Sequence, residues 1–258
     1  MPDFPSTTSA SGIWTLKKHK RAKQGGNWPL IPGDEYFEYV TMLLPGNGTN
    51  GAQNNTFLDS STNNFSITRN GNTTQGTFAP YGANWSNYFD GTDDQLVAPD
   101  NSAFAFGTGD FTIEAWFYKI ANATESTILT NLASSSDNNE ALWLYINNNN
   151  AVATSTWFTN LSTSASNAVT NNTWIHVAWC RSGTNTSVWV NGTRVSNYTL
   201  SNNLSRTTGY RVGAYNNGST ISGDFSGYIS NARVVKGTAV YDPSQTTITV
   251  PTDRKSVV

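Results

Sequence analysis

The sequence predicts an all-β protein of two antiparallel sheets packed face to face, preceded by a short basic arm. Three observations predict it. From Glu35 onward the apolar residues recur with period two, as side chains do along a strand. Clusters of Asn, Gly, Asp, Ser and Pro interrupt these runs at short intervals, the pattern of a sandwich or barrel. Charged residues are only 12% of the 258, while aromatics are also 12% and include nine Trp. That supplies rings for a core, which disordered chains lack. No repeat of solenoid or propeller length is present.

The elements follow in order. Residues 1–34 form the arm and linker. Within it Lys17, Lys18, Lys20, Arg21 and Lys23 crowd into seven positions between Trp14, Leu16 and Trp28. Thr15 can cap a short helix from Leu16 to Gln24, stopped by Gly25-Gly26. Residues 35–250 are the sandwich and 251–258 a tail. Tyr36 to Leu44 reads as the first strand, and 63–68 and 76–78 as short strands about an Asn-Gly turn at 70–71. Trp85 to Phe89, Leu96 to Ala98 and Phe111 to Tyr118 follow. In the last, Phe111, Ile113, Ala115 and Phe117 share one face, and Thr112, Glu114, Trp116 and Tyr118 the other; both faces carry aromatics, which suits a strand between a core and a second covered or concave surface. Further strands are Ser126 to Asn131, Ala141 to Ile146, Ala151 to Phe158 and Trp174 to Cys180. Asn191-Gly192 joins Ser187–Val190 to Thr193–Val195 as a type I′ hairpin. Tyr210 to Ala214 and Phe225 to Val235 complete the set.

Charge and cysteine content exclude several classes. The formal net charge of −2 gives no global attraction to nucleic acid. A single cysteine, Cys180, permits no internal disulfide and sits in an apolar strand as a small hydrophobe. There is no apolar run long enough for a membrane span, and Met1-Pro2-Asp3 does not open a secretory signal. Synthesis in a reducing cytoplasm is expected.

Four segments resemble the concanavalin A-like/laminin-G (pentraxin-like) superfamily. They are Tyr88-Phe89-Asp90-Gly91-Thr92-Asp93-Asp94; Gly109-Asp110-Phe111-Thr112-Ile113-Glu114-Ala115-Trp116; Trp174-Ile175-His176-Val177-Ala178 leading to Val188-Trp189-Val190-Asn191-Gly192; and Gly227-Tyr228-Ile229-Ser230-Asn231-Ala232-Arg233-Val234. They stand in the family's order. The resemblance implies an all-β, antiparallel two-sheet jelly-roll sandwich (concanavalin A-like). Phe57-Leu58-Asp59-Ser60-Ser61, Val235-Lys236-Gly237-Thr238-Ala239-Val240-Tyr241 and the opening Ser11-Gly12-Ile13-Trp14-Thr15-Leu16 are similar to such domains in phage and marine-virus structural proteins. By that likeness the expected setting is the virion, as a head decoration, fibre or tail-associated protein. Its partners would be other capsid or tail proteins, a host-surface glycan, and further copies of itself.

Candidate sites follow from residue chemistry. Glucanases of this fold are similar in a Glu-x-Asp-x-x-Glu strand, which sets two carboxylates beside the scissile bond. No such run occurs, Glu114 has no acidic neighbour two or four positions away, and no enzyme activity is expected. His176 alternates with apolar neighbours and reads as a strand residue. The family's use of loop carboxylates for calcium makes Asp90, Asp93, Asp94 and Asp110 the candidate Ca²⁺ ligands, against the simpler reading as turn formers. For a glycan, which needs aromatic faces and amides, the candidates are Trp143, Tyr145, Trp157 and Tyr215 with Asn216 and Asn217. Against this stands the reading of core rings and turn amides. Trp14, Leu16, Lys17, Lys18, Lys20, Arg21, Lys23 and Trp28 are expected to anchor the chain to a partner shell.

Overall fold

In Phe111–Lys119 the residues Phe111, Ile113, Ala115 and Phe117 are buried in one apolar core, and their alternates lie on the opposite face. That split makes the strand one leaf of a two-leaf sandwich. The computed structural model describes residues 34–46, 56–82, 85–121, 125–133, 139–156, 159–218 and 220–252. The predicted arm helix, its basic and aromatic residues, and Trp157 lie outside the described residues.

The strands are β1 (Val40–Leu44), β2 (Thr68–Asn70), β3 (Thr74–Gly76), β4 (Ser86–Asp90), β5 (Gln95–Val97), β6 (Phe111–Lys119), β7 (Glu125–Thr130), β8 (Trp143–Asn147) and β9 (Val152–Thr156). There follow β10 (Thr159–Thr163), β11 (Trp174–Ser182), β12 (Asn185–Val190), β13 (Thr193–Thr199), β14 (Arg211–Val212), β15 (Tyr215–Asn216), β16 (Ile221–Ser222) and β17 (Ser226–Lys236). One sheet has eight strands in the order β13-β12-β11-β6-β17-β4-β3, with β1 also paired to β17. The other has seven, β10-β9-β8-β7-β14-β5-β2. The pairing is antiparallel, as the hairpin-rich sequence predicts.

The inner faces fill the space between the leaves. Phe111, Phe117, Val177, Trp179, Val188, Ile229 and Val234 of the larger sheet meet Ile128, Leu129, Leu144, Ile146, Val152 and Val212 of the smaller. Phe111 packs edge-on against Trp179 at 5.5 Å between centroids. Arg181 is fully buried at one end of this core, donating to the carbonyls of Gly107, Gly109 and Asn202 and lying 5.1 Å over the Phe111 ring.

Two expected strands differ in the structure. Residues 37–39 form a single 3₁₀ turn, and β1 starts only at Val40. The Asn70-Gly71 turn makes no hairpin, because β2 pairs with β5 in one sheet and β3 with β4 in the other. The chain changes leaf there. Asp94 fixes the corner, its Oδ1 accepting from the Asn72 amide at 2.6 Å and its Oδ2 from the Asp90 amide at 2.8 Å. β10 and the small hairpin β15–β16 were not expected from the sequence. At Asn191-Gly192 the predicted hairpin forms, with φ of 47° and 79° and Val190 opposite Thr193.

Residues 237–248 cross the outer face of the larger sheet as a strap. Ala239, Tyr241 and Ile248 pack on Ala178, Cys180 and Trp189. The Trp189 indole donates to the Gln245 carbonyl and Ser187 Oγ to that of Pro243.

Candidate functional site

The register of the larger sheet sets its outer face out in rows. Trp174 of β11 stands opposite Tyr118 of β6, Tyr118 opposite Tyr228 of β17, and Tyr228 opposite Tyr88 of β4. Four strands thus place four aromatic side chains in one line, ending at Thr74 of β3. Strands lie about 4.8 Å apart, so the line is about 14 Å long. Its rings touch, with centroids 5.6 Å apart for Tyr118–Trp174, 6.0 Å for Tyr118–Tyr228 and 4.9 Å for Tyr88–Tyr228. Phe78 lies over the middle, 4.8 Å from both Tyr118 and Tyr228 and 5.3 Å from Trp174, and is itself 43% exposed. The other four rings are partly exposed. Burial, with the neighbouring Tyr88 and Tyr118 hydroxyls, pushes the Tyr228 phenol above its ordinary pKa.

The next rows turn polar and then close. His176, Trp116 and Ser230 form the second. Tyr81 meets Trp116 edge-on at 5.7 Å. In the third, Glu114 is 2% exposed between Ala178 and Arg233. Its Oε2 lies 3.2 Å from His176 Nε2 and accepts from the Tyr241 hydroxyl at 2.7 Å, while its Oε1 is 3.3 Å from Arg233 Nε. Arg233 Nη1 also reaches the Asp34 carboxylate at 2.6 Å. Burial by itself would raise the Glu114 pKa; the Arg233 charge and the His176 and Tyr241 hydrogen bonds outweigh it and hold the carboxyl down to about 2. Glu114 is therefore an ionised structural anion roofed by the strap. Cys180, in the row beyond, is buried with Sγ 3.1 Å from Thr112 Oγ1, and burial pushes its thiol up to about 12.

The sequence-predicted glycan residues lie on the other leaf. Trp143 and Tyr145 alternate with the core residues Leu144 and Ile146 and so face outward from β8. They are brought together, with centroids 3.9 Å apart and planes at 16°, and Tyr215 closes on Trp143 at 4.7 Å. Each of the first two is only 8% exposed, and the Trp143 indole donates to Thr127 Oγ1. The two rings present their faces to each other. Asn216 and Asn217 lie on the small hairpin, where their side-chain Oδ1 atoms accept from the Gly218 and Thr220 amides as turn formers.

The four candidate calcium ligands do not converge. Asp90, Asp93 and Asp94 sit together near the end of β6, since Ser226 is opposite Asp90 and bonds Ile120. Asp110 precedes the start of the same nine-residue strand, about 30 Å away, and accepts from the Gly183 amide. The Asp94 oxygens hold the corner already described, and those of Asp90 accept from the Thr92 amide and Asn72 Nδ2. Asp224 joins this neighbourhood; burial, then Asp93, Asp94 and Asp90, raise its pKa. Among the described residues no group of three or more His, Cys, Asp or Glu could hold a metal ion. The set does not fit calcium, and the turn-forming reading accounts for its contacts.

The row of rings cannot be read from the sequence, because it exists only through register. Its one visible trace is the Trp116/Tyr118 face of β6.

Two antiparallel leaves pack around a shared core and carry aromatic side chains on their outer faces. The family described as the concanavalin A-like lectin/glucanases superfamily, laminin-G type, matches residues 90–240, and the chain belongs to it. Among curated proteins no relative matches. Solved structures share the fold at low identity. The binding domain of Paraclostridial Mosquitocidal Protein 1 is similar with a TM-score of 0.61 and 11% identity, over 81% of this chain and 51% of that one. Domain 4 of AbnA, a GH43 extracellular arabinanase from Geobacillus stearothermophilus in complex with arabinotriose, is similar with a TM-score of 0.58 and 17% identity, over 81% of this chain and 96% of that one. A structure on the ganglioside-dependent cell entry of botulinum neurotoxin type C has a TM-score of 0.56 and 14% identity, covering 81% and 50%. The chain thus spans about half the length of the toxin domains it matches.

Proposed function

We propose that this chain is a non-catalytic, lectin-like binding protein that attaches to a surface glycan. One observation carries the reading: a lectin-family sandwich holds aromatic rings, partly open to solvent, on an outer sheet face that the core does not need. Sugars are held by ring faces under their C–H bonds and by hydroxyls and amides around the edge. The likeness to a toxin binding domain and to an arabinanase domain solved with arabinotriose supports it.

Two arguments support binding without catalysis. β6 carries one carboxylate, Glu114, which is ionised and roofed by the strap. Glu140 stands on a loop with Ser205 and Arg206. The setting proposed is a phage-type virion, assembled in the host cytoplasm, with Trp14, Leu16, Lys17, Lys18, Lys20, Arg21, Lys23 and Trp28 anchoring the domain to capsid or tail. The segments similar to phage and marine-virus proteins support that setting.

A glycan array probed with the full chain tests the binding reading, and the expected result is retention of at least one glycan class. A blank array, with calcium and with chelator, rejects it. Release of reducing ends from the bound polysaccharide would reject the non-catalytic part. Incorporation of a chain lacking residues 1–33 into particles at the full-length level would reject the anchor.

A further inference from the structure

We infer that the ligand site is the aromatic row Trp174–Tyr118–Tyr228–Tyr88 with Phe78, on the outer face of the eight-stranded sheet, and that its ligand is an uncharged glycan chain. The inference rests on the glycan-binding reading above and adds both place and chemical class.

Place follows from what the rings have left to offer. On the seven-stranded sheet Trp143 and Tyr145 cover each other's faces and are almost fully buried. On the eight-stranded sheet Phe78 is exposed and the four rings below it are partly so. Three of those rings end in phenol hydroxyls, each able to donate and accept. Thr74 stands at one end of the row, and exposed Asn172 lies two residues from Trp174 at the other. Rings along a line, tilted 48° to 75° from one another, with hydroxyls and amides at its edges, offer apolar and polar contacts to the alternating C–H and O–H surfaces of a sugar chain.

Class follows from charge. An acidic sugar needs an arginine or lysine free to meet its carboxylate. Among the described residues the rows beside the aromatic one hold no such group. Ile120, Ser226 and Asp90 make up one side, and Asp90 would repel an anion. On the other side His176 lies against Glu114, and Arg233 is shared between Glu114 and Asp34. Lys119 turns into the sandwich, where its Nζ donates to Asn150.

A second copy of this chain is the other occupant such a face could have. An aromatic side chain presents about 150–250 Å² when free, so with four of five rings partly buried the open area is on the order of 300 Å². A stable protein interface takes about 800 Å² per partner. The patch is too small for that.

The experiment uses the full chain on an array of neutral oligosaccharides (arabinan, xylan, β-glucan and mannan fragments) alongside sialylated and uronic-acid glycans. Affinities for the hits are then measured by calorimetry for Phe78→Ala, Tyr228→Phe and Tyr215→Ala. Phe78 and Tyr228 are partly solvent-facing, and an unchanged Tm shows that each variant folds. The expected hits are neutral. Phe78→Ala should weaken them about tenfold or more, as loss of a ring's apolar contact does. Tyr228→Phe should weaken them severalfold, and Tyr215→Ala should leave them unchanged. Neutral hits that bind Phe78→Ala and Tyr228→Phe like the parent would overturn the place while leaving the glycan-binding reading intact. Loss of binding in Tyr215→Ala alone would move the site to the other leaf. Hits confined to charged glycans would overturn the class. A blank array removes the inference together with the reading it rests on. Concentration-dependent dimers that Phe78→Ala dissolves would show the face to be a self-interface and overturn it too.

Discussion

Glu114 shows how much one side chain can hold. A carboxylate taken out of water is costly unless charge and hydrogen bonds replace the solvent. Here Arg233, His176 and Tyr241 do so. Because the folded-state pKa lies near 2 against an ordinary 4.5, the unfolded chain binds the proton more readily. This contribution is complete above pH 4.5 and is lost as pH falls toward 2. At about 1.4 kcal/mol per unit it amounts to roughly 3 kcal/mol. Urea unfolding measured from pH 6 to pH 3 should show stability falling through that window. Glu114→Gln should be less stable at pH 6, by about 3 kcal/mol, and should lose most of the acid-side slope. Equal slopes in parent and variant would refute the assignment. Cys180 gives a second residue-scale test. Buried against Thr112 with its pKa pushed up to about 12, it should not react with a thiol reagent in the native chain and should react fully in denaturant. Its burial was legible in the sequence from its apolar strand. The Glu114 network was not, since Arg233 and Tyr241 lie more than a hundred residues away and reach it only through β17 and the strap.

At the scale of elements, the same dipeptide has two outcomes. Asn191-Gly192 takes positive φ at both residues and makes the tight hairpin its sequence announces. Asn70-Gly71 does so only at Gly71, and the strands beside it part to different leaves. Local chemistry supplies a bend in each case. Whether the flanking strands then pair depends on which partners claim them, and β5 and β4 are both non-local to that turn. Long alternating strands such as β6, β11 and β17 were legible because period two with a full apolar face admits one orientation. The two-residue strands β15 and β16 carry no such pattern. Gly192 also joins the hairpin to the strap: a Cβ there would stand 2.7 Å from the Ile248 carbonyl oxygen, and φ is 79°. Gly192→Ala should therefore destabilise the protein by about 1–3 kcal/mol, combining backbone strain with displacement of the strap. Hydrogen exchange should rise across 241–248 as well as at the turn. A loss confined to the turn would mean that the strap does not depend on the hairpin.

At the scale of the whole molecule, the low charge content becomes an argument about metals. With 17 acidic residues in 258, a calcium site would have to gather several of them at one edge. The fold sets Asp110 apart from the other candidates instead. Asp110 and the Asp90–Asp94 corner stand at opposite ends of β6, and the corner carboxylates already accept backbone amides that would otherwise go unpaired. Withdrawing Asp94 to meet an ion would release the Asn72 and Asp90 amides at the point where the chain changes leaf. The ion would have to replace both bonds to break even. The sequence made these residues look like a set because they fall in loops, and only the length of β6 separates them. Thermal unfolding followed by calorimetry should thus give the same Tm in chelator and in millimolar calcium, because a ligand stabilises only the state that binds it. Asp94→Ala should lower Tm equally in both solutions, by removing the corner and not a metal. A rise of several degrees on adding calcium, abolished by Asp94→Ala, would instead mean that the corner opens to take the ion.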